Sequence, residues 1–192
     1  MVYDTRKVTH GTEQVTFSGA ADEVVYSTGV SGFVPSTEQD SKKVYADART
    51  HMTLMNAKTL TIEVTNYQYN EGEMAQMGYT AANGGFVDTG TYPTFDAQRI
   101  LTVQSDDGSK TQRLEVFYNC TSTDYTESDD EDEDEINPKT YTRTLTVAGK
   151  ELEGFGLVNK FIVERTEENA AIFDTFKTKI LTPADFATTP EP

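Results

Sequence analysis

The sequence has no tryptophan, one cysteine, two histidines and half as many basic as acidic side chains, 16 Lys plus Arg against 32 Asp plus Glu in 192 residues. Each shortage excludes something. With Cys120 alone there is no intramolecular disulfide and no C-x-x-C pair, which suits a reducing compartment and leaves the fold to its core. A chain of this length buries roughly 70% of its unfolded surface, enough for one domain without staples. His10 and His51 stand far apart and neither belongs to an H-E-x-x-H spacing, so no zinc motif is present. A formal net charge of −16 disfavours tight binding to a phosphate backbone, which draws on cationic contacts. No apolar run approaches the roughly 18 residues of a membrane span. The start, M-V-Y-D-T-R-K, has no signal core, so the expected product is soluble, made in the cytosol and not bound to a membrane.

What the chain does have is threonine in alternation. From Lys139 to Ala148 the order K-T-Y-T-R-T-L-T-V-A puts Thr140, Thr142, Thr144 and Thr146 on one face and Tyr141, Arg143, Leu145 and Val147 on the other. Side chains alternate across a strand and β-branched residues suit a pleated surface, so this segment is a strand. Lys58 to Thr65 repeats the design, with Thr59, Thr61, Glu63 and Thr65 opposite Leu60, Ile62 and Val64. Such hydroxyl faces make wettable walls with little charge and no catalytic reach.

Further strand signals lie at Thr12 to Phe17, Val24 to Thr28, Gln98 to Gln104, Thr111 to Cys120 and Phe161 to Arg165. Short strands at this density predict a mainly β fold, an antiparallel sandwich or open barrel. Asp106-Asp107-Gly108-Ser109 predicts a hairpin turn. A short helix is expected over Asn70 to Met77, with Asn70 as N-cap, Glu71 and Glu73 in the first turn and Gly78 as stop. A C-terminal helix is expected over Glu167 to Ile180, where Ile172, Phe173, Phe176 and Ile180 recur at helical spacing. One domain is assigned to residues 1–182 and a flexible tail to 183–192. Two long stretches lack a regular pattern: Ser31 to Asn56 and Tyr79 to Phe95. The first carries Phe33, Val34, Val44, Tyr45, Met52 and Leu54, too much apolar surface for simple disorder, and is read as an arm that meets another copy. An arm folded on its own domain, or holding a strand of its own, is the alternative.

The densest charge is Asp124 to Glu135, nine acids and no base, including the run Asp129, Asp130, Glu131, Asp132, Glu133, Asp134 and Glu135. It fails as an EF-hand. With Asp130 as the first ligand, Glu135 replaces the required glycine and Tyr141 stands where the bidentate acid belongs. Blocks of like charge are ordinarily solvated, so a loop between strands is expected. Gly154-Phe155-Gly156 lacks the third glycine of a dinucleotide fingerprint, with Asn159 in its place. Cys120 reads as a small buried hydrophobe. No G-x-S-x-G, P-loop or His-carboxylate constellation is visible, so neither an enzyme nor a cofactor is expected.

The order of these features resembles a known family. Tyr45-Ala46-Asp47 near the end of a polar arm precedes a threonine-rich strand, a short acidic helix closing at Gly78 and a Gly-rich loop. Phe95, the D-D-G-S hairpin, a strand ending F-Y-N-C, an acidic insertion and the T-R-T-L-T strand follow. Over roughly Val24 to Arg165 this is similar to the major tail proteins of long, non-contractile bacteriophage tails of Gram-positive hosts. The resemblance implies a tail-tube fold of two packed antiparallel sheets, hexameric rings stacked into a tube, a place in the virion tail, and DNA passing through without specific binding. It implies tape-measure, tail-terminator and distal-tail proteins as partners, and the arm, with Tyr45 and Asp47, as the contact with an adjacent subunit or ring. It carries over no catalytic residue. A different class of reading is a monomeric carbohydrate-binding or surface-binding β-sandwich using Tyr67, Tyr69, Tyr79 and Tyr92; a calcium-dependent adhesin module is a third.

Overall fold

The computed structural model describes residues 7–19, 23–39, 41–46, 49–55, 58–128 and 139–187. Antiparallel strands dominate. In chain order they are β1 (Val8–Ser18), β2 (Val24–Ser27), β3 (Val30–Glu38), β4 (Ser41–Ala46), β5 (Arg49–Met55), β6 (Thr59–Asn66), helix α1 (Glu71–Gln76), β7 (Tyr79–Ala82), β8 (Gly85–Asp88), β9 (Phe95–Gln104), β10 (Lys110–Ser128), β11 (Thr140–Val147), β12 (Lys150–Leu152), β13 (Gly156–Val158), β14 (Lys160–Glu164) and helix α2 (Ala170–Phe173). One eight-stranded sheet follows the order β2-β1-β9-β10-β11-β6-β3, with β14 also on β10; β4-β5, β7-β8 and β12-β13 are separate two-stranded hairpins.

The 19-residue β10 turns this sheet into two layers. Its first half pairs with β9 and β14, and its second half, from Cys120 to Ser128, pairs with β11. The register shifts between Phe117 and Cys120, and Asn119 takes φ 55°, a left-handed conformation that asparagine tolerates. A strand bent in this way serves both layers of a sandwich. Between them lies a core of Val15, Phe17, Phe95, Ala97 and Phe117 from the first layer against Phe33, Ile62, Val64, Leu145 and Val147 from the second. Arg99 on β9 reaches across the layers, donating to the Phe33 carbonyl at 2.6 Å while its guanidinium lies 4.8 Å from the Phe33 ring.

The outer face of the first layer is covered by the C-terminal segment. Ile100, Leu114, Val116, Tyr118 and Val163 pack against Phe173, Phe176 and Leu181. Here the helix expected over Glu167 to Ile180 is shortened to Ala170–Phe173. Helix α2 is a single turn, because buried Gln98 engages the backbone beyond it: its amide donates to the carbonyls of Phe176 at 2.9 Å and Lys179 at 2.8 Å and accepts from Leu181 N–H at 3.0 Å. Satisfied by a side chain, that backbone has no need of a helical ladder. Of the segment assigned to the tail, residues 183–187 are described and 188–192 lie outside the described residues. Pro183–Phe186 form a 3₁₀ turn, and the Phe186 ring lies 5.6 Å from Phe161 and 5.9 Å from Phe173.

Both stretches expected to be irregular contain strands. The arm holds β3, whose Phe33 is a core residue of its own chain at 5% exposed, followed by the β4-β5 hairpin. The glycine-rich stretch holds the β7-β8 hairpin. Helix α1 agrees with expectation in detail: Asn70 accepts from Glu73 N–H at 2.9 Å while Glu73 accepts from Asn70 N–H at 3.1 Å, a complete capping box, and Gly78 follows at φ 86°.

Candidate functional surface

The second layer consists of β3, β6, β11 and the distal half of β10. Register carries the threonine faces of β6 and β11 into one field. Thr142 lies opposite Thr65 and Thr146 opposite Thr61, while Thr144 faces Glu63. On the far side of β11, Thr126 pairs with Thr142 and Thr121 with Thr146. On the far side of β6, Ser36 pairs with Thr61 and Glu38 with Thr59. The Thr65 and Thr142 hydroxyls are 3.2 Å apart, and Thr123 Oγ1 lies 3.3 Å from both the Thr144 carbonyl and Thr146 Oγ1. Thr140 ends the row on β11, opposite Ser128.

The opposite face of the same strands is the core, with Ile62, Val64, Leu145 and Val147 all below 7% exposed, while the threonines are half-buried or exposed. No Lys or Arg stands among the described side chains of the threonine field, and the charged ones among them are Glu38 and Glu63. Chemically this is a hydrated hydroxyl wall with a slight negative bias. It presents no nucleophile. Cys120 is buried in the core on the other side, where burial chiefly pushes its thiol up to about 12. His10 is exposed on β1, and among the described residues no three His, Cys, Asp or Glu side chains stand close enough to share a metal ion.

Of the arm residues, Val34 is 58% exposed on the threonine face beside Glu63. Val44 and Tyr45 lie on β4, Met52 and Leu54 on β5, with Val44 opposite Met52; Asp47 lies outside the described residues. The run Asp129, Asp130, Glu131, Asp132, Glu133, Asp134 and Glu135 also lies outside them; the strands on either side of it end at Ser128 and begin at Thr140. Of the four tyrosines considered for sugar stacking, Tyr79 and Tyr92 meet, together with Tyr125, around a cavity of about 270 Å³. Tyr67 is exposed elsewhere, and Tyr69 packs on Tyr125 and Tyr141 at 6.1 and 5.6 Å.

Beneath the field is a polar group that alternation alone did not single out. Arg143 is fully buried, its guanidinium 4.6 Å from the Phe17 ring and 5.5 Å from Tyr69, donating to Gln76 Oε1 at 3.1 Å. Glu73 Oε1 lies 3.6 Å from Arg143 Nη2 and accepts from Ser27 Oγ at 2.6 Å and Asn66 Nδ2 at 2.9 Å. The network pins α1 to the second layer. Burial lowers the Arg143 pKa and, as the largest cause, pushes the Tyr69 hydroxyl up to about 12. A signal was present in the sequence: an arginine at an inward position of T-Y-T-R-T-L-T-V requires a buried acid as partner.

Compared with known proteins, residues 1–183 match the family model described as "Phage tail tube protein". Among solved structures the chain is similar to a chain of the "Cryo-EM Structure of an Extracellular Contractile Injection System, PVC sheath-tube complex in extended state", at 8% identity and a TM-score of 0.44 over 80% of this chain and 88% of that one. It is also similar to a chain of the "Cryo-EM structure of the anti-feeding prophage (AFP) baseplate, 6-fold symmetrised", at 10% identity and a TM-score of 0.44 over 81% and 94%. No curated protein matches.

Proposed function

The chain belongs to the phage tail tube protein family, and from that premise we propose that its copies join edge to edge into hexameric rings, stacked as a tube whose lumen is lined by the threonine field. The observation that carries this is the state of the second layer's two borders. Among the described residues no strand pairs with the far edge of β3, and beyond Cys120 none pairs with the side of β10 away from β11. Unpaired edges invite other chains, and closing a ring removes them. The layer has four alternating antiparallel strands, an even number, so a β3 edge set beside the next copy's β10 edge is again antiparallel. Closure needs no change of ladder type.

Orientation follows from what each face can do. The first layer's outer face is occupied by α2 and the 3₁₀ turn, which leaves the threonine field to face the interior. A conduit for DNA must not hold its cargo. Hydroxyls and a few carboxylates offer phosphates no cation, so passage during ejection stays unhindered. The β4-β5 hairpin leaves the second layer where Glu38 pairs with Thr59, and an isolated two-stranded hairpin is marginal in water, so it serves as the arm that docks on an adjacent subunit or ring. Ser128 and Thr140, the strand ends that flank the acidic segment 129–135, lie at the opposite end of that layer. The protein is structural rather than catalytic, a component of the virion tail made in the host cytoplasm, whose partners are itself and the tape-measure, terminator and distal-tail proteins.

Negative-stain microscopy of concentrated protein, alone and with tail-assembly partners, tests this. Tubes of uniform width are the expected result. A strict monomer under every condition, above all one that binds a glycan saturably, would overturn it in favour of the carbohydrate-binding reading.

A further inference from the structure

The cavity of about 270 Å³ beside β10 lies along the edge that, among the described residues, no strand of the same chain pairs with beyond Cys120. One wall is β10 at Ser122, Thr123 and Tyr125; the other is formed by Met77, Tyr79 and Tyr92. It is an open slot whose outermost ring, Tyr92, is 52% exposed. At its base Ser122 is 5% exposed, and its hydroxyl has no hydrogen-bond partner among the described residues. A buried hydroxyl without a partner is costly, so a group from outside that supplies one is favoured there.

Register identifies which group arrives. Ser122 pairs with Leu145, Leu145 with Ile62, and Ile62 with Pro35, so Ser122 and Pro35 are the two ends of one row across the layer. Both belong to the face opposite the threonines. When copies are set side by side without stagger, Pro35 of one falls next to Ser122 of the other. A stagger of an odd number of residues would turn the entering strand's core-side residues onto the threonine face, so the parity is fixed. Resting on the ring reading above, we infer that this slot is the socket for the edge strand β3 of a second copy, with Pro35 seated between Tyr92 and Tyr125. Proline leaves the entering strand one ladder donor short at this position, while its rigid ring loses little freedom on docking against aromatic faces. The Ser122 hydroxyl donates to a carbonyl of the entering strand and so gains the partner it lacks within its own chain's described residues.

Cross-linking reads this register directly. In a Cys120→Ala background, Pro35→Cys protein is mixed with Ser122→Cys protein, assembled and oxidised; paired strand positions bring their Cα atoms to roughly 4.5–5.5 Å, within disulfide reach. Tubes with a mixed disulfide dimer are the expected result. Tubes without it, or a dimer formed by Thr37→Cys in place of Pro35→Cys, overturn the socket while leaving the ring intact. Failure of the unmodified protein to form tubes overturns the ring reading itself. Tyr92→Ser supplies a second measurement, since the residue is exposed. The concentration needed for tube formation is expected to rise about tenfold, as for a central aromatic contact. An unchanged threshold, or a soluble sugar held by Tyr92 in the monomer, counts against the socket.

Discussion

Arg143 and Glu73 face each other with Nη2 and Oε1 3.6 Å apart, one side chain wholly enclosed and the other 1% exposed. Their situations are unequal. Glu73 accepts from Ser27, Asn66 and the Asn70 backbone, whereas Arg143 has one hydrogen bond, to Gln76, and leaves Nε and Nη2 without acceptors among the described residues. Glu73→Ala strands a buried cation and removes half of the capping box. The expected loss is about 3–5 kcal/mol, the usual penalty for breaking a buried pair. Arg143→Leu leaves a carboxylate with three donors and an aliphatic chain among Phe17, Tyr69 and Phe95, and about 1–3 kcal/mol is expected. Urea unfolding of both variants checks the order; a larger loss for Arg143→Leu would show that the guanidinium, not the carboxylate, organises the network.

Acid sensitivity is expected to come in part from Glu115. Burial raises its carboxyl, but the hydrogen bond from Lys160 at 2.7 Å and the charge of Arg99 outweigh that and hold it below the ordinary glutamate value of 4.5. Glu164 is lowered too, first by its hydrogen bond from Lys7. A carboxyl depressed on folding stabilises the native state above its unfolded value and loses that contribution as pH falls through the folded one. Stability is therefore expected to fall below pH 4.5. Glu115→Gln should be less stable at neutral pH yet show a shallower decline, measured as the urea midpoint from pH 7 to pH 3. Parallel curves for the two proteins would remove Glu115 from the account.

Gly72 gives a test of packing against propensity. Alanine in a helix is ordinarily favoured over glycine by about 1 kcal/mol. Here a Cβ on Gly72 would come within 2.6 and 2.9 Å of the two Val25 methyl carbons on β2, and valine is stiff at χ1. Overpacking of that kind costs about 1–3 kcal/mol, so Gly72→Ala is expected to destabilise despite the better helix former. In a Val25→Ala background the same substitution should become neutral or favourable, and a double-mutant cycle measured by thermal unfolding decides it.

The parts of the fold legible in the sequence are those where one residue's environment repeats every second position. Thr140–Val147 and Thr59–Asn66 could be read because each has one wet and one dry face over its full length. β3 was hidden by Gly32 and Pro35, residues that an edge strand accepts and a central strand does not. The two hairpins β7-β8 and β12-β13 are too short to show alternation, and Phe86, Val87, Phe155 and Leu157 on them are exposed rather than packed. In the C-terminal segment the helical spacing of Phe173 and Phe176 correctly marked two core contacts, but Gln98, some 80 positions earlier, decided the backbone. The candidate surface was half legible: its threonines follow from period two, whereas the meeting of β6 with β11 and of Ser122's row with Pro35 depends on strand order, which local pattern does not carry.

The threonine field permits a direct trial of which side faces the channel. Thr61 lies between Ser36 and Thr146, with no acid directly opposite to neutralise a new cation. Its side chain points away from the core, so Thr61→Lys should leave folding within about 0.5 kcal/mol, as surface substitutions do. Every copy in a ring would then present an ammonium to the lumen. Each phosphate neutralised adds close to one unit to the dependence of binding on the logarithm of salt concentration. Tubes of Thr61→Lys are therefore expected to retain short labelled DNA at low salt and to release it steeply as salt rises, while unmodified tubes retain none. Thr61→Gln, similar in bulk but uncharged, should behave like the unmodified protein, which separates charge from size. Equal retention by the lysine and glutamine tubes would place the field away from the DNA path, and accelerated capture of long DNA on the outer wall would place it on the exterior.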